Sequence, residues 1–200
     1  MTIPTYKTYL IILFAAFFAV FLFSCEEDLT DDPIALTEDS LSVFLETHDL
    51  SIEDVELEDD YSLNLNISYD DCTDDYPGSL VTHALMFSDT AGIRHIVSLF
   101  VPETAIINDT VLVEGTYTFA DEEDDNYHKA YTIDVDSRLF YGSDVETEDD
   151  LEEIEDGVVK IETLASNESK ITIAVTYGDG DVLAFAYSSG YTVTQTTCSE

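Results

Sequence analysis

Tyr61-Ser62-Leu63-Asn64-Leu65-Asn66-Ile67-Ser68-Tyr69 alternates apolar and polar side chains without a break. Successive side chains of an extended chain point to opposite faces, so this stretch places Leu63, Leu65 and Ile67 on one side and Asn64, Asn66 and Ser68 on the other. A helix would scatter the same residues around its circumference. The segment therefore predicts a strand with one buried and one wet face.

The same signature recurs outward from it, in 80–87, 93–101, 111–119, 130–136, 158–163, 170–177, 182–187 and 191–196, all rich in Val, Ile, Thr, Tyr and Phe. Short connectors at 88–92, 164–169, 178–181 and 188–190 have hairpin lengths and carry Ser, Asn, Asp and Gly. Such spacing predicts an antiparallel meander closing into a β-sandwich or flattened β-barrel, with no room for the crossovers that parallel pairing needs. Two acid-dense segments, 120–128 and 143–156, read as loops, since like charges this close oppose a helix. Leu41, Val43 and Leu45, and then Ile52, Val55 and Leu57, fit either a first strand or a helical turn.

The start of the chain has a different character. One cation, Lys7, precedes Leu10 to Phe23, a run without a polar side chain that is too short for the roughly 20 residues of a stable membrane span. It ends in Leu22-Phe23-Ser24-Cys25 followed by Glu26-Glu27-Asp28. This junction resembles the lipobox of bacterial lipoproteins, with Phe23 where a small residue is usual. The acids after it resemble the export signal of surface-exposed Bacteroidota lipoproteins. The resemblance implies cleavage before Cys25, diacylglycerol on its thiol, and an outer-membrane, cell-surface address. Expected boundaries are a signal peptide over 1–24, the lipidated Cys25 and an acidic tether over 25–40, and one all-β domain over 41–200. The Glu114-Gly-Thr-Tyr-Thr-Phe119 and Gly157-Val-Val-Lys-Ile161 strands also resemble those of small Bacteroidota surface lipoproteins, which implies fold and address but no activity.

With 44 Asp+Glu against 6 Lys+Arg, the net charge is −38, and loss of Lys7 with the signal makes it −39. Such a chain repels nucleic acid and anionic headgroups. Its expected partners are the membrane, through the lipid, and an extracellular ligand or protein.

The motifs of chemistry are sparse. His48, His83, His95 and His128 lack zinc-hydrolase spacing, although His83 and His95 fall on neighbouring predicted strands. No Gly-x-Ser-x-Gly elbow and no phosphate-cradling loop occur. Carboxylate pairs for a glycosidase-like hydrolase are uninformative where acids are everywhere. The expectation is therefore a binding or envelope-supporting protein rather than an enzyme, with no resident cofactor.

Three further sites are candidates. Cys72 and Cys198 would form a disulfide in an oxidising compartment, or stay as separate thiols. Asp70, Asp71, Asp74 and Asp75 crowd one loop and would hold Ca2+ or simply be solvated. Asp39-Ser40-Leu41, Asp89-Thr90-Ala91 and Asp109-Thr110-Val111 resemble the O-glycosylation acceptor of Bacteroidota, which makes Ser40, Thr90 and Thr110 candidate glycosylation sites.

Only a cysteine thiol accepts the diacylglycerol, so Cys25→Ser should accumulate as an unprocessed precursor lost from detergent-extracted membranes. Processing and membrane retention that survive the change, followed by immunoblot of cell fractions, would refute the anchor.

Overall fold

The computed structural model describes residues 40–69, 80–106, 112–121, 124, 127–140, 151–165, 168–178 and 180–196. Helix α1 (Ser40–Thr47) comes first, then strands β1 (Glu56–Leu57), β2 (Ser62–Tyr69), β3 (Leu80–Ser88), β4 (Ile93–Pro102), β5 (Gly115–Phe119), β6 (Thr132–Ile133), β7 (Arg138–Phe140), β8 (Leu151–Ala165), β9 (Glu168–Tyr177) and β10 (Asp181–Thr196). The protein is all-β in its described part. Eight strands close on themselves in the order β2-β3-β4-β6-β5-β8-β9-β10 and back to β2, with β1 and β7 as additions, so the sheet is a barrel rather than a sandwich.

Alternation explains the interior. Leu63, Leu65 and Ile67 of β2 point inward as expected, joined by Leu85 and Phe87, Val97 and Leu99, Tyr117, Val159 and Ile161, Ile171 and Ile173, and Phe185 in one core. Each fully buried Leu, Ile or Phe contributes roughly 1.5–3 kcal/mol, so this filled interior is the main source of stability.

The structure resolves the first patch, 41–45, as helix, whereas Ile52 opens a single 3-10 turn (Ile52–Asp54) and Leu57 ends the short strand β1. Leu41, Phe44 and Leu45 are buried and Val43 is exposed, the spacing of a helical rather than an extended face. Eight residues are too few for a helix to persist alone, and α1 is held by packing on the outward-facing Val158 and Ala174.

Four expectations require correction. The turn expected at 188–190 is absent, because β10 runs straight through Ser188, Ser189 and Gly190, which pair with Lys170, Ser169 and Glu168 of β9. Parallel pairing does occur, in β10 with β2, β1 with β10, and β5 with β6. For β2 and β10 the crossover is the rest of the barrel. The loop expected over 143–156 includes strand residues from Leu151 onward; a bulge between Ile154 and Asp156 shifts the alternation by one and brings Ile154 and Val159 to the same face. Finally, only Thr132–Ile133 of the strand expected at 130–136 is strand, flanked by backbone hydrogen bonds from Tyr131 and Asp134 to Phe100 and Ser98, and a turn closed by the Ser137 amide on the Asp134 carbonyl at 3.0 Å follows.

Gly157 of β8 lies against β9 with no room for a side chain. A Cβ there would overlap Cγ1 of Val175 and lie 2.9 Å from the Ala174 carbonyl oxygen. Gly157→Ala should therefore cost about 1–3 kcal/mol and lower Tm by several degrees. An unchanged Tm in differential scanning calorimetry would contradict this packing.

Candidate functional site

At the barrel end where β2 and β4 begin, the interior closes with a plug of rings. Phe87 of β3 stands edge-on to Phe185 at 5.4 Å and to Tyr187 at 5.6 Å between centroids. His95 of β4 lies 5.1 Å from Phe185, and Tyr61 covers both, 5.5 Å from His95 and 5.9 Å from Phe185. Such tilted and edge-to-face contacts each add about 0.5–1.5 kcal/mol beyond burial.

The Tyr61 hydroxyl lies 3.3 Å from Nε2 of His95. Burial, and then the nearby Glu58, pushes the phenol up, whereas burial and the Arg94 guanidinium push the imidazole down to about 4. Both groups are neutral near pH 7, so this imidazole has no proton to deliver as a general acid.

Tyr61 divides two cavities. On one side, a cleft of about 260 Å³ has Leu183 and Phe185 in its wall and Asp54, Glu56 and Glu58 among its lining. These three acids come from a single short segment. Hydrogen bonds from the Ser51 hydroxyl and amide hold the Asp54 carboxyl below the usual carboxylate range.

On the other side lies a groove of about 460 Å³ along the seam between β10 and β2. Its origin is topological. The same edge of β10 pairs with β1 at Phe185 and Ala186 and with β2 from Tyr191 onward, leaving 187–190 without a ladder partner there among the described residues. Tyr61, Tyr187 and Tyr191 supply rings, Ser62, Asn64, Ser88, Ser189 and Thr192 supply hydroxyls and an amide, and among the described residues no Asp, Glu, Lys or Arg lines it. The Tyr187 hydroxyl donates to the Gly190 carbonyl at 2.6 Å, and that of Tyr191 accepts from the Leu112 amide at 3.1 Å, so both rings are fixed.

Beyond the groove an uncharged ladder climbs the outer face. Asn64 donates to Thr192 at 2.9 Å, while Thr194 and Thr196 donate to Asn64 and Asn66 at 3.0 Å. Across β2, β3, β4 and residues 191–196 no acid occurs and Arg94 is the sole formal charge, in a chain with 44 acids. Sequence reading missed this flank because it weighed total charge rather than charge strand by strand.

Cys25, Glu26, Glu27, Asp28, Asp70, Asp71, Cys72, Asp74, Asp75, Thr110 and Cys198 lie outside the described residues. Ser40 opens α1. Thr90 is exposed in the β3–β4 turn, whose Asp89 accepts from the Ala91 and Gly92 amides at 2.7 and 3.1 Å and from Arg94 at 2.7 Å. His83 and His95 both point inward but stand opposite Leu99 and Phe87 respectively, so they do not face one another. Among the described residues no three His, Cys, Asp or Glu gather as metal ligands, and no helix is long and apolar enough to cross a membrane.

Comparison of the chain with protein-family models, curated proteins and solved structures gives no match.

His83 is fully buried, neither ring nitrogen has a hydrogen-bond partner, and burial pushes it from 6.5 down to about 4. The unfolded chain takes up this proton below pH 6.5 while the fold resists it until about 4, so stability falls as pH drops through that window. At pH 5 the loss from this residue is about 2 kcal/mol. Urea unfolding of the wild type and His83→Leu at pH 7.5 and pH 5 should show the variant gaining that amount relative to wild type at the lower pH. An equal difference at both values would rule out a buried neutral imidazole.

Proposed function

We propose that this chain is a non-catalytic lipoprotein of the outer membrane, held at the cell surface by lipid on Cys25, whose barrel binds an uncharged partner outside the cell. The observation that carries the reading is the acid-free flank. A protein of charge −38 repels anions over its whole surface and gathers cations at its acids, with a reach of about 8 Å at 0.15 M salt. On β2, β3, β4 and the second half of β10 a neutral partner meets polar groups without displacing counterions. The filled interior leaves the outer surface for binding.

The competing reading is a carboxylate-dependent, glycosidase-like hydrolase at the cleft beside Tyr61 and His95, favoured by the three acids in its lining. A glycosidase needs one carboxyl that keeps its proton near neutral pH and a second on the other side of the scissile bond. Asp54 is shifted the opposite way, and Asp54, Glu56 and Glu58 arise from one segment rather than from opposed strands. That arrangement favours binding.

Surface plasmon resonance of the full chain over immobilised dextran, laminarin, galactomannan, alginate and polylysine tests this, at 0.15 and 1 M NaCl. Uncharged contact predicts binding to at least one neutral polymer that is nearly equal at both salts. Retention by polylysine alone, lost at 1 M, would mean that the acid field does the binding. Saturable release of reducing ends from a polymer, abolished by Glu58→Gln, would establish the hydrolase instead.

A further inference from the structure

We infer that the seam groove between β10 and β2 is a subsite for one unit of a neutral saccharide, with the sugar ring lying against Tyr191 and Tyr61. This inference rests on the binding reading above and names the ligand class and the place.

Three features converge on it. The groove's volume of about 460 Å³ falls in the range of small-ligand sites, roughly 300–1,000 Å³. Its lining combines three tyrosines with five side chains that donate and accept hydrogen bonds while carrying no charge. A hydroxylated ring with C–H faces asks for this mixture, since its faces are apolar and its rim is polar on every side. A fatty chain would take the Ser62, Ser88, Ser189 and Thr192 hydroxyls out of water with only part of their hydrogen-bonding capacity met, that of Ser62 by the Ser88 carbonyl and that of Thr192 by the Asn64 amide; an anion would be repelled by the chain's charge, and a cation is better served at the acid-lined cleft on the far side of Tyr61.

The groove is also preorganised. Tyr187 is almost fully buried with its hydroxyl on the Gly190 carbonyl, Tyr191 is tied to the Leu112 amide, and Asn64 is clamped between Thr192 and Thr194. Fixed rings lose little freedom when a ligand arrives. Among the described residues the ladder on this edge of β10 lapses at 187–190, between β1 and β2, so the site is built by barrel closure itself. Outward from it, the ladder through Asn66, Thr194 and Thr196 continues without charge, giving a polymer somewhere to run.

The chain contains no tryptophan, so its emission comes from its twelve tyrosines, and a ligand that covers Tyr61 and Tyr191 changes their share of it. The full chain is titrated with dextran, laminarin and galactomannan oligosaccharides, and with an uncharged extended octapeptide as a control. A saturable change with one saccharide is expected, weakened at least tenfold by Tyr191→Leu and within threefold of wild type in Tyr191→Phe, which keeps the ring. Should Tyr191→Leu melt far below the wild type, Ser189→Arg serves, since Ser189 is exposed and a long cation there occupies the groove; it should also weaken binding tenfold. Polymer binding on the sensor surface that Ser189→Arg leaves unchanged would overturn the subsite while the surface-binding reading stands. Saturation by the peptide and by no saccharide would overturn the ligand class.

Discussion

Everything distinctive in this barrel follows from one pairing, the parallel contact of its last strand, β10, with β2. A sheet left open exposes two rows of backbone donors and acceptors, and closure removes both. Here the closing strand is long: β10 spans sixteen residues and β2 eight, in a register that aligns Tyr191 with Leu63. The first half of β10 therefore projects past the start of β2 and is served by β9 on one edge and the short β1 on the other. Between β1 and β2 the ladder lapses. The groove is what that lapse leaves, and the ring plug of Tyr61, Phe87, His95, Phe185 and Tyr187 is what keeps water out of the core beside it.

Parallel pairs are somewhat weaker per residue than antiparallel ones, and β2 with β10 is reinforced from outside. Asn64 and Asn66 reach across to Thr192, Thr194 and Thr196, and cross-strand pairs of this kind contribute a few tenths of a kcal/mol to about 1 kcal/mol each. Like charges in those positions would act in the opposite direction. Segregating the acids onto β8, the 54–60 segment and the acid-dense connections keeps repulsion away from the seam, where closure is decided.

Strands were legible wherever alternation was clean, as in 61–69, and wherever a connector had only one reading, as in the β3–β4 and β9–β10 turns. Reading failed where one residue type had two uses. Ser188-Ser189-Gly190 looks like a turn because small polar residues make turns, but they also suit an exposed strand edge that must flex from one neighbour to the next. Glu152, Glu153 and Glu155 look like loop because they are acidic, yet all three are exposed positions of β8 where a strand tolerates charge, and the bulge before Asp156 hid the period. The groove left no trace in local sequence at all. Its lining comes from positions 61–64, 88, 187 and 189–192, which only the register of closure brings together.

Folding alone does not account for the acid-free flank. Outward positions on β8 carry glutamates without harm, so solvent exposure by itself does not exclude them here. The Asn–Thr ladder explains why β2 and the end of β10 are uncharged, because acids there would break its bonds. It does not reach β3, where the outward Thr82, Ala84 and Met86 are half-buried and uncharged, and where Ala and Met have no hydrogen bonds to protect. A chain with more than a fifth of its residues acidic would by solvation alone place acids on such strands. Their exclusion from three successive strands, continuous with an uncharged groove, is the pattern expected when a surface is kept for a neutral partner rather than for water.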